Sequence, residues 1–307
     1  MIGIQLLGQL GNQMFQYAAA RAAAERLDCG VFVREPDFER GWTPRSMSKR
    51  LWRSARLGKQ VQSQVGSILP NMTQSATGMA ILIGGERFRR RVFPYTFNAT
   101  TVASKNGAVF EIFDPDYFRI TSRTWLNGFF QSEAYFSDMK SNVQHWFAIS
   151  NRDKNHVQDI VARWPAPPDR MCAIHVRRND YLQPRDPKSH PEFGWALPTK
   201  YYDTALSLLP LGVSFAVFSD DVEFVRDYFY PLRPWVSQGN TAVQDLALMS
   251  SCRFQIIANS SFSWWAAWLN RIPDKLVIAP NFHLGWYIGE WIPGGIHVDG
   301  WSYVDVS

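Results

Sequence analysis

Between residues 171 and 279, short apolar runs alternate with stretches of helical spacing, and this alternation constrains the fold more than any other feature of the chain. Strands are expected at 171–178, 213–219, 254–259 and 275–279, with helices at 199–209, 222–229, 241–251 and 261–270. Strands that return through helices build a parallel sheet with right-handed crossovers. This half therefore reads as a Rossmann-like α/β domain. The N-terminal half opens in the same way, with a strand over 2–7, a turn Gly8-Gln9-Leu10-Gly11, a helix from Asn12 to Leu27 and a strand over 29–33. The prolines of Trp164-Pro165-Ala166-Pro167-Pro168-Asp169 stop helix and strand alike and mark the expected linker, which divides the chain into 1–165 and 166–307. Residues 60–110 suggest no element.

Composition narrows the class. A chain of 307 residues that is 46% apolar and 15% aromatic is globular and long enough for two cores. The net charge of +5 favours an anionic partner: nucleic acid, a phosphorylated small molecule or an acidic membrane surface. The three cysteines, Cys29, Cys172 and Cys252, lack CxxC spacing and read as reduced core thiols, which suits the cytoplasm. The six histidines make no metal-ligand pattern. The opening MIGIQLLG is strand-like, without the basic segment and cleavage site of a signal peptide, and no apolar run is long enough to span a bilayer. Residues 45–59 carry Arg45, Lys49, Arg50, Arg53, Arg56 and Lys59 without an acid, and 87–91 form a second basic knot. Each reads as a solvated face, with peripheral contact to acidic lipid at the inner membrane, or to a phosphorylated acceptor, as the functional alternatives.

The chemistry gathers where strands end. In His175-Val176-Arg177-Arg178-Asn179-Asp180, strand periodicity puts His175 and Arg177 on one face and Arg178 on the other. Such a pair at a strand end suits an anionic, planar ligand such as a nucleotide diphosphate. Ser219-Asp220-Asp221 offers carboxylates to a guanine edge or a ribose, although one aspartate is expected to cap the next helix. Asn259-Ser260-Ser261-Phe262-Ser263 leads into a helix whose N-terminus suits a phosphate, with two of Trp264, Trp265 and Trp268 sharing a buried face. Gly8-x-x-Gly11-Asn12-Gln13 allows close backbone approach to a ligand; the plainer reading is a helix start capped by Asn12. Asp114-Pro115-Asp116 has the form of a metal-binding DxD, but its proline and aromatic neighbours read as a turn.

Together GQLGNQMFQYA (8–18), GFFQSEAYF (128–136), HVRRNDY (175–181), FSDD (218–221) and IIANSSFSWWAAWLN (256–270) resemble the bacterial α-1,2-fucosyltransferases of glycosyltransferase family 11. The resemblance implies a GT-B fold, in which an N-terminal acceptor-side domain and a C-terminal GDP-sugar-binding domain, both Rossmann-like, face a cleft. It implies GDP-L-fucose as donor, a galactoside oligosaccharide or lipid-linked glycan as acceptor, inversion at the anomeric carbon, and no metal or other cofactor. By position, Arg177 would grip the β-phosphate, while His175 and Asp220 or Asp221 would meet the guanine. Ser260, Ser261 and Phe262 would line the diphosphate, with Gly11 in the N-terminal loop and Asn12 near the fucose. Asp180 and Glu192 are the candidate proton acceptors. The chain departs from the family at Gln9 and Asn179, where glycine is usual; Asn179 is expected to tolerate the left-handed turn. An α-1,6-fucosyltransferase, a nucleotide-sugar lectin and a nucleic-acid-binding module are the competing readings. The last is disfavoured because the cations are split between separate segments.

Overall fold

The computed structural model describes residues 1–34, 89–105, 107–183 and 194–306. They fall into two compact units, Met1–Thr101 with Glu111–Ala148, and Val102–Phe110 with Ile149–Ser307. The boundary near residue 148 lies ahead of the proline-rich stretch at 164–169, which belongs to the second unit.

In the first unit, β1 (Ile2–Gln5), α1 (Leu10–Arg26) and β2 (Val31–Arg34) make the opening βαβ. They are followed by β3 (Tyr95–Asn98), β6 (Thr124–Asn127) and α2 (Lys140–Trp146), while β4 (Thr101–Ala103) and β5 (Val109–Glu111) pair in a separate two-stranded sheet whose residues 102–110 belong to the second unit. The main sheet runs β2-β1-β6-β3, and every pairing in it is parallel. Central β1 is buried on both sides, which explains its apolar Ile2 and Ile4. Its Gly3 is required by packing: a Cβ there would lie 2.5 Å from the Trp125 ring and 2.8 Å from that of Phe93. Alanines 18, 19, 20, 22, 23 and 24 of α1 are all buried and let the helix lie close to its neighbours.

The second unit begins with α3 (Asn151–Val161) and β7 (Met171–Val176), then α4 (Thr199–Ser207), β8 (Ser214–Ser219), α5 (Val222–Tyr228) and β9 (Trp235–Val236). It continues with α6 (Ala242–Ser250), β10 (Phe254–Ile256), α7 (Ser261–Leu269), β11 (Leu276–Pro280) and β12 (Ser302–Val304). The sheet order is β12-β11-β10-β7-β8-β9, parallel throughout. One face of β7 sends Cys172, Ile174 and Val176 into a core shared with Tyr201 and Tyr202 of α4. The α/β class expected from the sequence is therefore the one observed, with a parallel sheet in each unit.

Several boundaries differ from expectation. β7 stops at Val176, so Arg177 and Arg178 stand beyond it, and β10 stops at Ile256. All three tryptophans of α7 are buried, not two, because that helix is enclosed on nearly every side. Strands β3, β4 and β5 occupy 95–111, within and just beyond the stretch that suggested no element; they are short and largely exposed, so they lack alternating apolar runs. The basic stretch 45–59, together with Arg87 and Phe88, lies outside the described residues. Of the second knot, Arg89 packs its guanidinium 5.1 Å from the Trp125 ring, while Arg90 and Arg91 are exposed. Among the described residues no helix is long and apolar enough to cross a membrane.

Gly3→Val should lower stability by about 1–3 kcal/mol through overpacking against Trp125 and Phe93. Urea unfolding followed by tryptophan fluorescence measures this, and an unchanged midpoint would contradict the packing described.

Candidate functional site

The chain leaves β7 toward β8 and β9 on one side, then crosses to β10, β11 and β12 on the other. The carboxyl ends of β7 and β10 therefore flank the point where strand order reverses, which is where open α/β sheets bind ligands. His175 and Arg177 lie at the end of β7, and Asn259, Ser260 and Phe262 follow β10.

Arg177 is held by two carboxylates. One terminal nitrogen lies 2.7 Å from Asp180 Oδ1, the other 3.0 Å from Asp220 Oδ2. Both contacts are ion pairs rather than directed hydrogen bonds. The other oxygen, Asp220 Oδ1, accepts from the Arg178 backbone N–H at 2.9 Å, and Asn179 Nδ2 donates to the Asp220 carbonyl. Burial raises the Asp220 pKa, with the Arg177 charge opposing that shift. The Tyr181 ring lies 5.5 Å from the Arg177 guanidinium.

Arg178, also beyond the strand, takes a different partner. Its Nε is 3.1 Å from Asp221 Oδ2 and its guanidinium stacks 3.8 Å over Phe224. Asp221 also caps α5, accepting from the Phe224 N–H at 3.0 Å. The two aspartates thus divide the work, with Asp221 closing a helix and Asp220 facing Arg177.

His175 is 6% exposed, and its ring lies 5.6 Å from that of Phe262. Burial, assisted by Arg177, pushes its pKa down to about 3, so the imidazole is neutral; Nδ1 has no hydrogen-bond partner. Ser260 caps α7 by accepting from the Phe262 N–H at 3.3 Å, and half-buried Ser261 opens the helix. Asn259, to which the sequence reading assigned no role, is fully buried. Its Nδ2 donates to the Trp195 carbonyl at 2.8 Å, its backbone carbonyl accepts from Tyr181 Oη at 3.4 Å, and its Oδ1 has no partner. An amide directly after an apolar strand and before two serines was the available signal.

The remaining candidates belong to the first unit. α1 starts at Leu10, with Gln9 as N-cap residue but without a side-chain cap, so Asn12 is inside the first turn and does not cap the helix. Gly8, at φ +75°, turns the chain early, and a Cβ on it would lie 2.7 Å from Asn12 Nδ2. Asn12 Oδ1 accepts from Gln131 Nε2 at 3.0 Å, and Gly11 is buried next to it in the chain. Gln9 has φ −86° and ψ 176°, an extended backbone that needs no glycine. Asn179 is likewise absent from the left-handed residues, so the turn after β7 uses ordinary dihedrals there. Asp114 caps a short 3₁₀ helix by accepting from the Asp116 N–H at 2.9 Å. Among the described residues no group of three His, Cys, Asp or Glu could hold a metal ion. Glu192 lies outside the described residues.

The low pKa of His175 makes a prediction about pH. The unfolded chain binds a proton on this residue below about 6.5, whereas the folded one does not until about 3. Stability should therefore fall as pH drops through that window, by at most about 1.4 kcal/mol per pH unit for one histidine. His283, pushed down to about 4 by burial, acts in the same direction. Urea unfolding at pH 7, 6 and 5 should give a shallower slope for His175→Gln; parallel slopes would contradict the buried neutral ring.

Comparison with known proteins places these segments in one lineage. The profile described as Glycosyl transferase family 11 matches residues 108–287, more than half of the chain and including β7, β8 and the start of α7. The O-antigen biosynthesis glycosyltransferase WbnK of Escherichia coli is 27% identical over 301 residues, covering 93% of this chain and 94% of that protein. An alpha-1,2-colitosyltransferase of Escherichia coli is 33% identical over 164 residues, covering 50% of this chain and 54% of that protein. Among solved structures, the fucosyltransferase NodZ from Bradyrhizobium is similar at 13% identity and a TM-score of 0.42, covering 87% of this chain and 92% of that one. With its profile matched across both the cationic strand end and the serine-rich helix start, the chain belongs to glycosyl transferase family 11.

Proposed function

We propose that this glycosyltransferase moves L-fucose from GDP-L-fucose to the 2-hydroxyl of a β-galactoside, with inversion and without a metal ion. The observation that carries this reading is the fixed Arg177 guanidinium at the switch point of the second sheet, in the same unit as the N-terminus of α7. Family membership supports the reaction type, and the 1,2 linkage named for one relative supports the acceptor position.

In this reaction the acceptor oxygen bonds to the anomeric carbon from the face opposite the diphosphate, the carbon–oxygen bond to phosphate breaks, and the hydroxyl proton passes to water. Negative charge develops on GDP. Arg177 and the positive end of the α7 dipole at Ser260–Ser261 are suited to stabilise it. Asp220 and neutral His175 are assigned to the nucleotide, with Asp221 chiefly holding Arg178 and α5. Asp180 lies 2.7 Å from the Arg177 guanidinium, so we assign it to orienting that side chain. Asn12 is assigned to a sugar hydroxyl. The free thiols Cys29, Cys172 and Cys252 fit a cytoplasmic site of action, and any contact with the inner membrane face falls to the basic stretch 45–59.

A second reading, transfer of colitose from its GDP-activated form, is favoured by the colitosyltransferase relative. Colitose lacks the 3-hydroxyl of fucose. A site that hydrogen-bonds that hydroxyl would reject colitose strongly, whereas an apolar wall would accept both sugars. Incubation with each GDP-sugar and a panel of β-galactosides, followed by GDP release and linkage analysis of the product, decides between them. Arg177→Ala should keep its circular dichroism spectrum and lose on the order of a hundredfold or more in turnover. Near-normal turnover by that variant would refute the role assigned to Arg177.

A further inference from the structure

The first sheet has its own switch point. From β1 the chain passes to β2 on one side, while β6 lies on the other. The loops after β1 and β6 meet there, stitched by glutamine amides. Gln16 is fully buried; its Nε2 donates to the Gly128 carbonyl at 3.2 Å, and its Oε1 accepts from the Leu7 N–H at 2.7 Å. Gln13 Nε2 donates to the Gly8 carbonyl at 2.8 Å. These two amides bond backbone only, so they brace the loops.

Gln131 is different, because it bonds a side chain to which a substrate role is assigned. Its Nε2 donates to Asn12 Oδ1 at 3.0 Å. An asparagine amide can be satisfied either way round, with oxygen or nitrogen toward a neighbour. With Gln131 donating, the Asn12 oxygen faces Gln131 and the Asn12 NH2 lies over Gly8. The loop is built to hold that donor in place. Gly128 has φ +145°, and a Cβ there would lie 2.4 Å from the Ala99 Cβ. Phe130 has φ +54°, an unfavourable conformation for a residue other than glycine. The Glu111 carboxylate holds the turn by accepting from the Phe129 N–H at 2.8 and 2.9 Å and from the Phe130 N–H at 2.9 Å.

We propose that Gln131 is a positioning residue that fixes the polarity of the Asn12 amide, so that Asn12 offers N–H donors to a sugar hydroxyl, with Glu111 holding the loop that carries Gln131. This inference rests on the substrate role of Asn12 under the proposed function. It makes three coupled expectations. Gln131→Met, similar in size but unable to donate, should lower kcat/KM for transfer about tenfold, the size of a typical coupling between bonded side chains. Gln131→Glu can only accept, so it should turn the Asn12 amide around and lower transfer further. In an Asn12→Ala background, Gln131→Met should cause no further loss, and GDP affinity measured by calorimetry should be unchanged in every variant. A full additional loss in the Asn12→Ala background, or unaltered transfer by both Gln131 variants, would overturn the proposal. Absence of turnover by the wild-type protein with any GDP-sugar would instead defeat the proposed function. The positioning would then be read from the side-chain NH2 resonances of Asn12, assigned by their disappearance in Asn12→Ala. They should shift in Gln131→Glu, and unmoved resonances would refute it.

Discussion

The grip of Asp180 and Asp220 on Arg177 is the interaction on which the second unit's site depends. A guanidinium is planar and presents a rigid fork of donors, so two carboxylates can fix its position and orientation together, which a lysine ammonium would not allow. Asp180 comes from the short turn directly after β7, and Asp220 from the end of neighbouring β8. The same contacts therefore join two strand ends and aim the cation. A cation already aimed needs little reorganisation when negative charge develops nearby, and that preorganisation is the main source of electrostatic catalysis. The arrangement also explains the opposed directions of Arg177 and Arg178. One faces the carboxylate pair, while the other stacks on Phe224 and secures the start of α5.

Both units follow one physical rule. A parallel sheet covered on both faces leaves only its edges open, so polar chemistry concentrates at the strand ends. In the second unit the switch point is built from charges, with buried neutral His175 and Asn259 beside them. In the first it is built from amides, with Gln16 and Gln131 joining two loops around Asn12 and Gln13 bracing one of them. Charges suit a diphosphate, whereas amides, which both donate and accept, suit hydroxyls.

Much of this organisation was legible in the chain. Short, largely apolar runs between helical spacings marked β1, β7, β8, β10 and β11, as expected of strands buried on both faces. Abrupt changes from apolar to charged at His175–Asp180, and to serine at Asn259–Ser261, marked the candidate site, since buried charge and hydroxyls are costly unless they are paired. Short edge strands such as β9 and β12 were not legible: strands of two or three residues, half exposed, carry no period to read.

The sequence by itself determined the α/β class, the strand ends where polar residues gather and the residue types found there, because periodicity and abrupt polarity changes are local properties. Only the tertiary structure decided which partners those residues take. Asp220 rather than Asp221 meets Arg177, Asn12 bonds Gln131 instead of capping α1, and Glu111 holds a loop remote from it in the chain. These outcomes follow from strand order, which brings β7 beside β8 and β1 beside β6. Contacts between residues far apart in sequence depend on how the strands are ordered in the sheet, and no local pattern of residues encodes that order.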